Sequence, residues 1–166
     1  MPSDPFIERT LGHTSLNHRL SAGALVEHDG QILLVRHRKE GHYDFWVAPG
    51  GGVQGTEELA QAAAREVKEE TGLRVAIGPL LYVEEFHNPD TRHCKFWFAA
   101  TLLGGNLSTS APDADAEHIV EARWHTKEAI AGLQVFPSVL QGRYWTDRVQ
   151  GFPGVEHLGL REMAFW

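Results

Sequence analysis

Three glutamates are spaced so that a helix would bring their carboxylates into one small volume. Glu66, Glu69 and Glu70 stand at positions i, i+3 and i+4, which lie on one face of an α-helix. Two carboxylates about 6 Å apart repel by roughly 3 kcal/mol at an effective dielectric constant of about 20. Mg²⁺ typically binds a few carboxylates, some waters and phosphate oxygens. The cluster therefore indicates either a divalent-cation site or a solvated acidic face, which is the usual explanation of a charge run.

A helix is predicted around these glutamates. Leu59, Ala63 and Val67 recur every four residues, so they share a face that would pack against a core. Thr56 is expected to cap the first turn with its hydroxyl group, and Gly72 suits the left-handed residue that ends a helix. Glycines at positions 50–52 precede the helix, and their lack of side chains lets backbone groups approach an ion or a phosphate.

The complete pattern is more specific than any of its parts. Residues 51–73 resemble the signature of the Nudix hydrolase family at every specified position, with no departure. The nine matching positions are Gly51, Glu57, Arg65, Glu66, Val67, Glu69, Glu70, Gly72 and Leu73. So many positions at fixed spacing are far more specific than an isolated glycine motif. The chain is therefore identified as resembling this family.

The resemblance implies a fold, a reaction and a cofactor. The implied fold is α/β, a Nudix-type α/β/α sandwich with a mixed β-sheet between helices. The implied reaction is hydrolysis of a diphosphate bond in a nucleoside diphosphate linked to another moiety, with Mg²⁺ or Mn²⁺. The implied metal ligands are the carbonyl of Gly51 and the carboxylates of Glu66, Glu69 and Glu70. Glu57 is expected to pair with Arg65 and so to fix the geometry of the motif.

A further glutamate is expected to join the site from elsewhere in the chain. In the family, a glutamate before a tryptophan-bearing strand often completes the metal site or acts as a base. Glu117 is the candidate and Glu121 the alternative, since both precede Trp124; either could instead cap or solvate the strand. The proton of the attacking water would pass to Glu69, Glu70 or Glu117, and the sequence does not choose among them.

Two arginines are candidates for contact with the substrate. Arg36 follows a buried apolar run, and Arg92 lies near a hairpin where the family often builds its specificity. Surface charge is the alternative explanation of each. The substrate itself stays open among ADP-ribose, nucleotide sugars, dinucleoside polyphosphates and nucleoside triphosphates. A non-catalytic nucleotide-sensing module is the alternative function, although such a module has no need for all three clustered carboxylates.

Length and composition limit the class of protein. A chain of 166 residues suits a single domain, and a net charge of −7 argues against a general nucleic-acid binder. Bound cations would still allow a phosphorylated substrate. Cys94 is the only cysteine and no apolar run is long enough to span a membrane, so a cytoplasmic protein is expected. The expected partner is a nucleotide-derived small molecule, with neither nucleic acid nor membrane, and a homodimer is left open.

Hydrophobic patterns predict the strands. Residues 21–37 read as a β-hairpin that turns at Asp29 and Gly30, and its near-continuous apolar runs indicate strands covered on both faces. Strands are also expected at 74–77, 79–86 and 95–103, with a turn at 87–90.

The remaining segments give the domain organisation. Residues 108–115 read as a flexible acidic loop, Thr126 is expected to cap a helix at 127–133, and a last helix should run from 138 to 149. We expect an N-terminal arm at 1–20, a Nudix domain at 21–150 and a tail at 151–166. That tail, with Phe165 and Trp166 at its end, should pack on the domain or on a partner subunit.

Overall fold

The computed structural model describes residues 15–163, which form one mixed β-sheet with helices on both faces. The nine strands are β1 (Asn17–His28), β2 (Gln31–Lys39), β3 (Tyr43–Val47), β4 (Gly50–Gly52), β5 (Leu73–His87), β6 (Thr91–Gly105), β7 (Ile119–His125), β8 (Val135–Phe136) and β9 (Glu156–Glu162). The α-helices are α1 (Leu59–Thr71), α2 (Pro112–Ala116), α3 (Lys127–Ile130) and α4 (Arg143–Val149), with a 3₁₀ helix at Ser138–Gln141. This architecture confirms the predicted α/β/α sandwich.

The sheet is mixed because three of its pairings are parallel. Its strand order is β8-β3-β2-β1-β6-β5-β9, and β4 and β7 add to β1 and β2 respectively. The pairs β1–β6, β3–β8 and β5–β9 are parallel, while the other pairs are antiparallel. The predicted hairpin is present, and its β1 strand begins at Asn17, four residues earlier than expected, because it pairs with β6 from Thr91 onward.

Both faces of the central strands are buried, as the apolar runs predict. On β1, Leu25 contributes to the core on one face, and its neighbours Ala24 and Val26 contribute to the core on the other. On β2, Leu34 and Leu33 divide in the same way. Side chains that alternate along a strand point to opposite faces, so a continuous apolar run fits a sheet that helices cover on both sides.

Helix α1 covers one face of the sheet and carries the three glutamates. Its residue Val67 packs against Leu33 of β2 and Leu73 of β5. The helix ends at Gly72 in the left-handed conformation, as predicted. The prediction of Thr56 as the N-cap is wrong. The chain instead turns before the helix, and the backbone amide of Glu58, the N-cap, donates to the side-chain oxygen of Gln61 at 2.9 Å.

The second helical layer consists of α3, the 3₁₀ helix and α4. Thr126 caps α3 as predicted, since its hydroxyl oxygen accepts a hydrogen bond from the amide of Ala129. The single helix expected at 138–149 is interrupted at Gly142, which separates the 3₁₀ helix from α4. Leu140, Tyr144 and Trp145 are buried in the core that these elements share with the sheet.

Two other segments differ from expectation or extend it. The predicted loop at 108–115 contains the short helix α2, because Ala114 packs against Val35 and Ile119. The chain after residue 151 returns as β9 along the edge of the sheet beside β5. The predicted docking of Phe165 and Trp166, and most of the expected N-terminal arm, lie outside the described residues. None of the helices within residues 15–163 has the length and apolarity that crossing a bilayer would need.

Candidate active site

Strand β4 and helix α1 bring the first predicted ligands together. Gly51 lies so close to Glu66 that a Cβ atom at position 51 would stand 2.7 Å from the carboxylate atoms of that glutamate. Any larger residue would collide with the carboxylate. Glu66 is buried, and burial raises the pKa of its carboxyl group, an effect that Arg65 opposes. The pair therefore places a backbone strand and a desolvated carboxylate in direct contact.

Arg65 organises the outer side of this cluster. It donates hydrogen bonds of 2.7 and 3.1 Å to Glu57, which is the pairing that the sequence predicts. It also donates at 2.8 Å to both Glu66 and Glu69, and at 2.9 Å to the carbonyl oxygen of Gly52. One guanidinium thus fixes the loop before α1 relative to two of the three clustered carboxylates.

Glu70 is the most buried member of the cluster. One of its carboxylate oxygens accepts a hydrogen bond from the amide of Gly50 at 3.2 Å, and the other has no hydrogen-bond partner among residues 15–163. Burial raises the pKa of Glu70 well above its ordinary value, and Lys95 opposes that rise. A buried oxygen without a partner costs free energy. This atom is therefore suited to bind a cation or to accept a hydrogen bond from a ligand.

Lys95 places a buried positive charge beside the carboxylates. Its ammonium group donates to the carbonyl oxygen of Gly50 at 3.2 Å and lies 4.4 Å from the ring centroid of Trp97. Burial lowers the pKa of Lys95, and the nearby carboxylates, Glu70 first among them, oppose that decrease. Lys95 therefore offsets part of the negative charge of the carboxylates, in addition to Arg65.

Glu117, at the C-terminal end of helix α2, lies close to the same carboxylates. Ligand atoms of Glu117, Glu70 and His37 all lie within 4.8 Å of one another, close enough to share one metal ion. A ring nitrogen of His37 lies 3.1 Å from the backbone oxygen of Glu117. Burial lowers the pKa of His37 to about 4, so its imidazole is neutral near pH 7. A carboxylate beyond the motif thus reaches the cluster.

Two adjoining spaces surround these groups. We call the first the acidic cleft: its volume is about 310 Å³ and its lining includes Glu66, Glu69, Glu117, Asp113 and Arg19. We call the second the aromatic cavity: its volume is about 180 Å³ and its lining includes Phe45, Phe86, Trp97, Phe136, Lys95 and Arg161. His37 and Gly50 belong to the cavity wall. His37 contacts Glu117 of the cleft, and Gly50 contacts Glu70, whose carboxylate lies close to that of Glu117. The arrangement suits a ligand with a charged part and a planar apolar part.

Three of the residues that the sequence singled out lie apart from this cluster. Arg36 forms two hydrogen bonds of 2.7 Å with Asp44, and Arg92 forms one of 2.6 Å with Glu85. Glu121 pairs with Arg36 and with Arg123. Neither arginine belongs to the lining of the cleft or of the cavity, so contact of Arg36 or Arg92 with a substrate stays a prediction.

Sequence reasoning missed much of the cavity wall. Lys95 had a signal, since it is a charged residue two positions before Trp97 at the start of an apolar run, where both side chains share a face. Glu84 is buried and accepts a hydrogen bond of 2.9 Å from the indole nitrogen of Trp97. Arg161 had no local signal, because only the pairing of β9 with β5 places it at the cavity.

The sandwich and the carboxylate cluster define a class, an α/β protein with a candidate metal centre between a helix and a glycine-containing strand. The family model described as the NUDIX domain matches residues 17–148 of the sequence. Since this match covers most of the chain, the chain belongs to the NUDIX family, as its sequence motif predicts.

Curated relatives are named as a phosphohydrolase and a phosphatase. The chain is 40% identical over 76 residues to rat diphosphoinositol polyphosphate phosphohydrolase 2, a match that covers 46% of this chain and 40% of that protein. It is 37% identical over 106 residues to human 8-oxo-dGDP phosphatase, covering 64% of this chain and 31% of the relative. The matches thus span less than half the length of these relatives.

Solved structures share the fold. A NUDIX hydrolase from Nitrosomonas europaea superposes with a TM-score of 0.69 at 24% identity, covering 90% of this chain and 80% of that one. A UDP-X diphosphatase superposes with a TM-score of 0.66 at 21% identity, covering 92% of this chain and 71% of that one. These likenesses agree with the α/β/α sandwich described above.

Proposed function

We propose that this protein is a Mg²⁺- or Mn²⁺-dependent hydrolase of a diphosphate bond in a nucleoside diphosphate linked to another moiety. The buried oxygen of Glu70 that lacks a partner carries the proposal, since a divalent cation would satisfy it. The absence of room for a side chain at Gly51 supports the same site, because the backbone there approaches Glu66 closely. The residues present therefore fit a hard cation.

Glu66, Glu69, Glu70 and the carbonyl group of Gly51 would hold the cation. A bound Mg²⁺ or Mn²⁺ ion would supply charge stabilisation at the phosphate oxygens and a lowered pKa for the attacking water. The guanidinium of Arg65 contacts both Glu66 and Glu69. Arg65 and Glu57 would act by positioning these carboxylates to the tolerance that catalysis needs.

Glu117 is our choice of proton acceptor over Glu69 and Glu70. Its carboxylate is exposed at the acidic cleft, whereas Glu69 is bonded to Arg65 and Glu70 is buried. Water would add to phosphorus, the bond from phosphorus to the bridging oxygen would break, and the water proton would pass to Glu117. Glu117→Gln should then remove the acid limb of the pH profile of kcat. A limb that persists would return the role to Glu69 or Glu70.

The aromatic cavity favours a nucleoside over a non-aromatic group such as an inositol. Rings of Phe86, Trp97 and Phe136 give it an apolar wall, and a pocket lined by aromatic side chains suits the burial of a planar base. The cavity adjoins the acidic cleft through His37, and its wall residue Gly50 is bonded to Glu70. A base in the cavity would therefore leave its diphosphate near the carboxylates. The relatives named for 8-oxo-dGDP and UDP-X agree with a nucleotide substrate.

A panel of ADP-ribose, nucleotide sugars, dinucleoside polyphosphates and nucleoside triphosphates, each with Mg²⁺ and with Mn²⁺, tests this function. We expect metal-dependent release of a nucleotide from at least one compound and none after chelation. Glu69→Gln should abolish release with the fold intact, while Glu128→Gln on the exposed side of α3 serves as the matched control. Tight binding of one compound without turnover of any would instead support a nucleotide-sensing module.

A further inference from the structure

Strand β9 contributes part of the cavity wall although it lies beyond the family match. The match ends at residue 148, whereas Arg161 and Met163 both line the aromatic cavity. The carboxylates of the acidic cleft, in contrast, all lie within the matched region. A segment outside the shared domain is thus positioned to set which ligand the cavity accepts, separately from the chemistry at the cleft.

A β-bulge turns Arg161 toward the cavity. Between His157 and Leu160 strand β9 advances three residues, while its partner β5 advances two, from Val83 to Glu85. Gly159 lies inside this step with a φ angle of +80°, which favours glycine. The bulge adds one residue to the strand and so shifts its alternation of faces.

The consequence is that two residues three positions apart face the same way. In a regular strand, Leu158 and Arg161 would point to opposite faces. Here Leu158 packs against the core cluster that contains Trp97, and Arg161 lines the cavity whose wall also includes Trp97. The backbone of β9 is therefore shaped to present Arg161 to the cavity.

The guanidinium of Arg161 is held in place on three sides. Its Nε atom donates a hydrogen bond of 2.8 Å to the buried carboxylate of Glu84, whose other oxygen accepts from Trp97. Its central carbon lies 4.8 Å from the ring centroid of Phe86 and 5.0 Å from that of Phe136. Such fixing reduces the entropy that a ligand contact would otherwise cost.

Four N–H groups of Arg161 have no hydrogen-bond partner among the described residues and can serve a ligand. An arginine has five N–H donors in a planar fork, and within residues 15–163 only the one on Nε has a hydrogen-bond partner. The two terminal amino groups can therefore donate side by side. A guanine base offers two adjacent acceptors, O6 and N7, to such a fork, whereas adenine has an amino donor in place of O6.

The contacts also give the ligand a direction. An unbroken series of contacts leads from the cavity end to the acidic cluster: Arg161, Glu84, Trp97, Lys95, Gly50 and Glu70. A base at the Arg161 end of this series would leave its phosphates at the Lys95 and Gly50 end. There the buried ammonium group and the proposed cation would meet them.

We propose that Arg161 sets base specificity by donating to O6 and N7 of a guanine base in the aromatic cavity. This inference rests on the proposed function, because it takes the diphosphate to lie at the acidic cleft. In this proposal, strand β9 determines which base is bound, and residues of α1 and at the end of α2 hydrolyse the diphosphate. An arginine that instead binds phosphate would show no preference among bases.

The test is calorimetric binding of GMP, AMP and inorganic phosphate in the presence of Mg²⁺. We expect the protein to bind GMP more tightly than AMP. Arg161→Gln should weaken GMP binding about tenfold or more, since a bidentate contact with guanine gives discrimination of this order. Binding of AMP and phosphate should change less than about threefold. Arg161→Lys keeps the charge but not the fork, so it should lose the preference for GMP as well and serves if Arg161→Gln fails to fold.

Arg143→Gln is the matched control, because Arg143 pairs with Glu156 at the start of β9 and lies outside the cavity wall. It should leave binding of all three probes unchanged. Equal weakening of GMP, AMP and phosphate by Arg161→Gln would identify a phosphate contact and overturn the inference, and so would unchanged GMP binding. GMP has no anhydride bond, so a GMP preference that depends on Arg161, found together with no turnover of any diphosphate compound, would contradict the proposed function alone.

Discussion

The acidic cleft and the aromatic cavity adjoin each other but differ in how their charges are balanced. In the cavity, the buried carboxylate of Glu84 receives hydrogen bonds from Trp97 and Arg161. At the cleft, Glu66 and Glu69 share a single guanidinium, and the neighbouring Glu70 keeps an oxygen without a partner in the described part of the chain. The buried carboxylate of the cavity is thus satisfied by the protein's own donors, whereas the carboxylates of the cleft would be satisfied by the proposed cation.

The largest expected effect comes from removing a charge at the cleft. Glu70→Gln should lower metal-dependent turnover by about 10³-fold or more, because the carboxylate that the cation needs is lost. The free energy of unfolding should change little, because the substitution removes a costly buried carboxylate but also part of the charge that compensates Lys95. Steady-state kinetics and urea unfolding check both expectations. Turnover at the original rate would contradict a cation site at Glu70.

A smaller effect is expected from the backbone beside the cleft. In Gly51→Ala the new Cβ atom would meet the carboxylate of Glu66 at 2.7 Å, so that ligand must move. Affinity for Mn²⁺ should fall by about tenfold to a hundredfold, as for other groups that orient a metal ligand. Gly132→Ala is the control, because a Cβ atom there would meet nothing within 4 Å. Titration with Mn²⁺ gives the measurement, and equal affinities in the two variants would refute the role of Gly51.

Loss of an indole hydrogen bond should lower the free energy of unfolding more at the cavity wall than elsewhere in the core. Trp97→Phe removes the indole donor to the buried carboxylate of Glu84, which should cost about 1–3 kcal/mol beyond the lost packing. Trp145→Phe removes a bond of 2.8 Å to the backbone oxygen of Leu140, a neutral acceptor, and should cost less. Urea unfolding of the two variants measures the difference. A smaller loss for Trp97→Phe would show that Glu84 does not depend on this bond.

The smallest expected effect concerns the protonation of His37, which lies between the cavity and the cleft. Burial lowers the pKa of His37 to about 4 from 6.5. Between these values the unfolded chain binds the proton and the folded protein does not, so the contribution of His37 to unfolding free energy rises with pH across this window and is lost as pH falls through it. NMR titration of the imidazole in metal-free protein should show a pKa well below 6.5. A pKa near 6.5 would contradict the burial of this ring.

The two spaces also differ in how far the sequence could foresee them. The cleft depends on helical spacing within residues 51–73, so Glu66, Glu69, Glu70 and the pairing of Arg65 with Glu57 were predictable. Glu117 was reachable only through the resemblance to a family. The cavity draws Phe86, Trp97, Phe136 and Arg161 from four different strands, and local patterns do not specify which distant strands pair.

The same physical reason explains the errors in the elements. The prediction of a loop at 108–115 used local composition, whereas α2 forms because Ala114 packs against Ile119 and against Val35 on the distant strand β2. The tail after residue 151 carries too weak an alternation for a strand to be predicted, since the bulge at Gly159 breaks its period of two. Tertiary contacts decided both segments.

The central claim is that the glutamates of α1 bind a divalent cation, and crystals of the protein soaked in Mn²⁺ test it most directly. We predict an anomalous difference peak coordinated by the carboxylates of Glu66, Glu69 and Glu70 and close to the carbonyl oxygen of Gly51. A map with no peak in the acidic cleft at saturating Mn²⁺, and with these three side chains directed into solvent, would contradict the account.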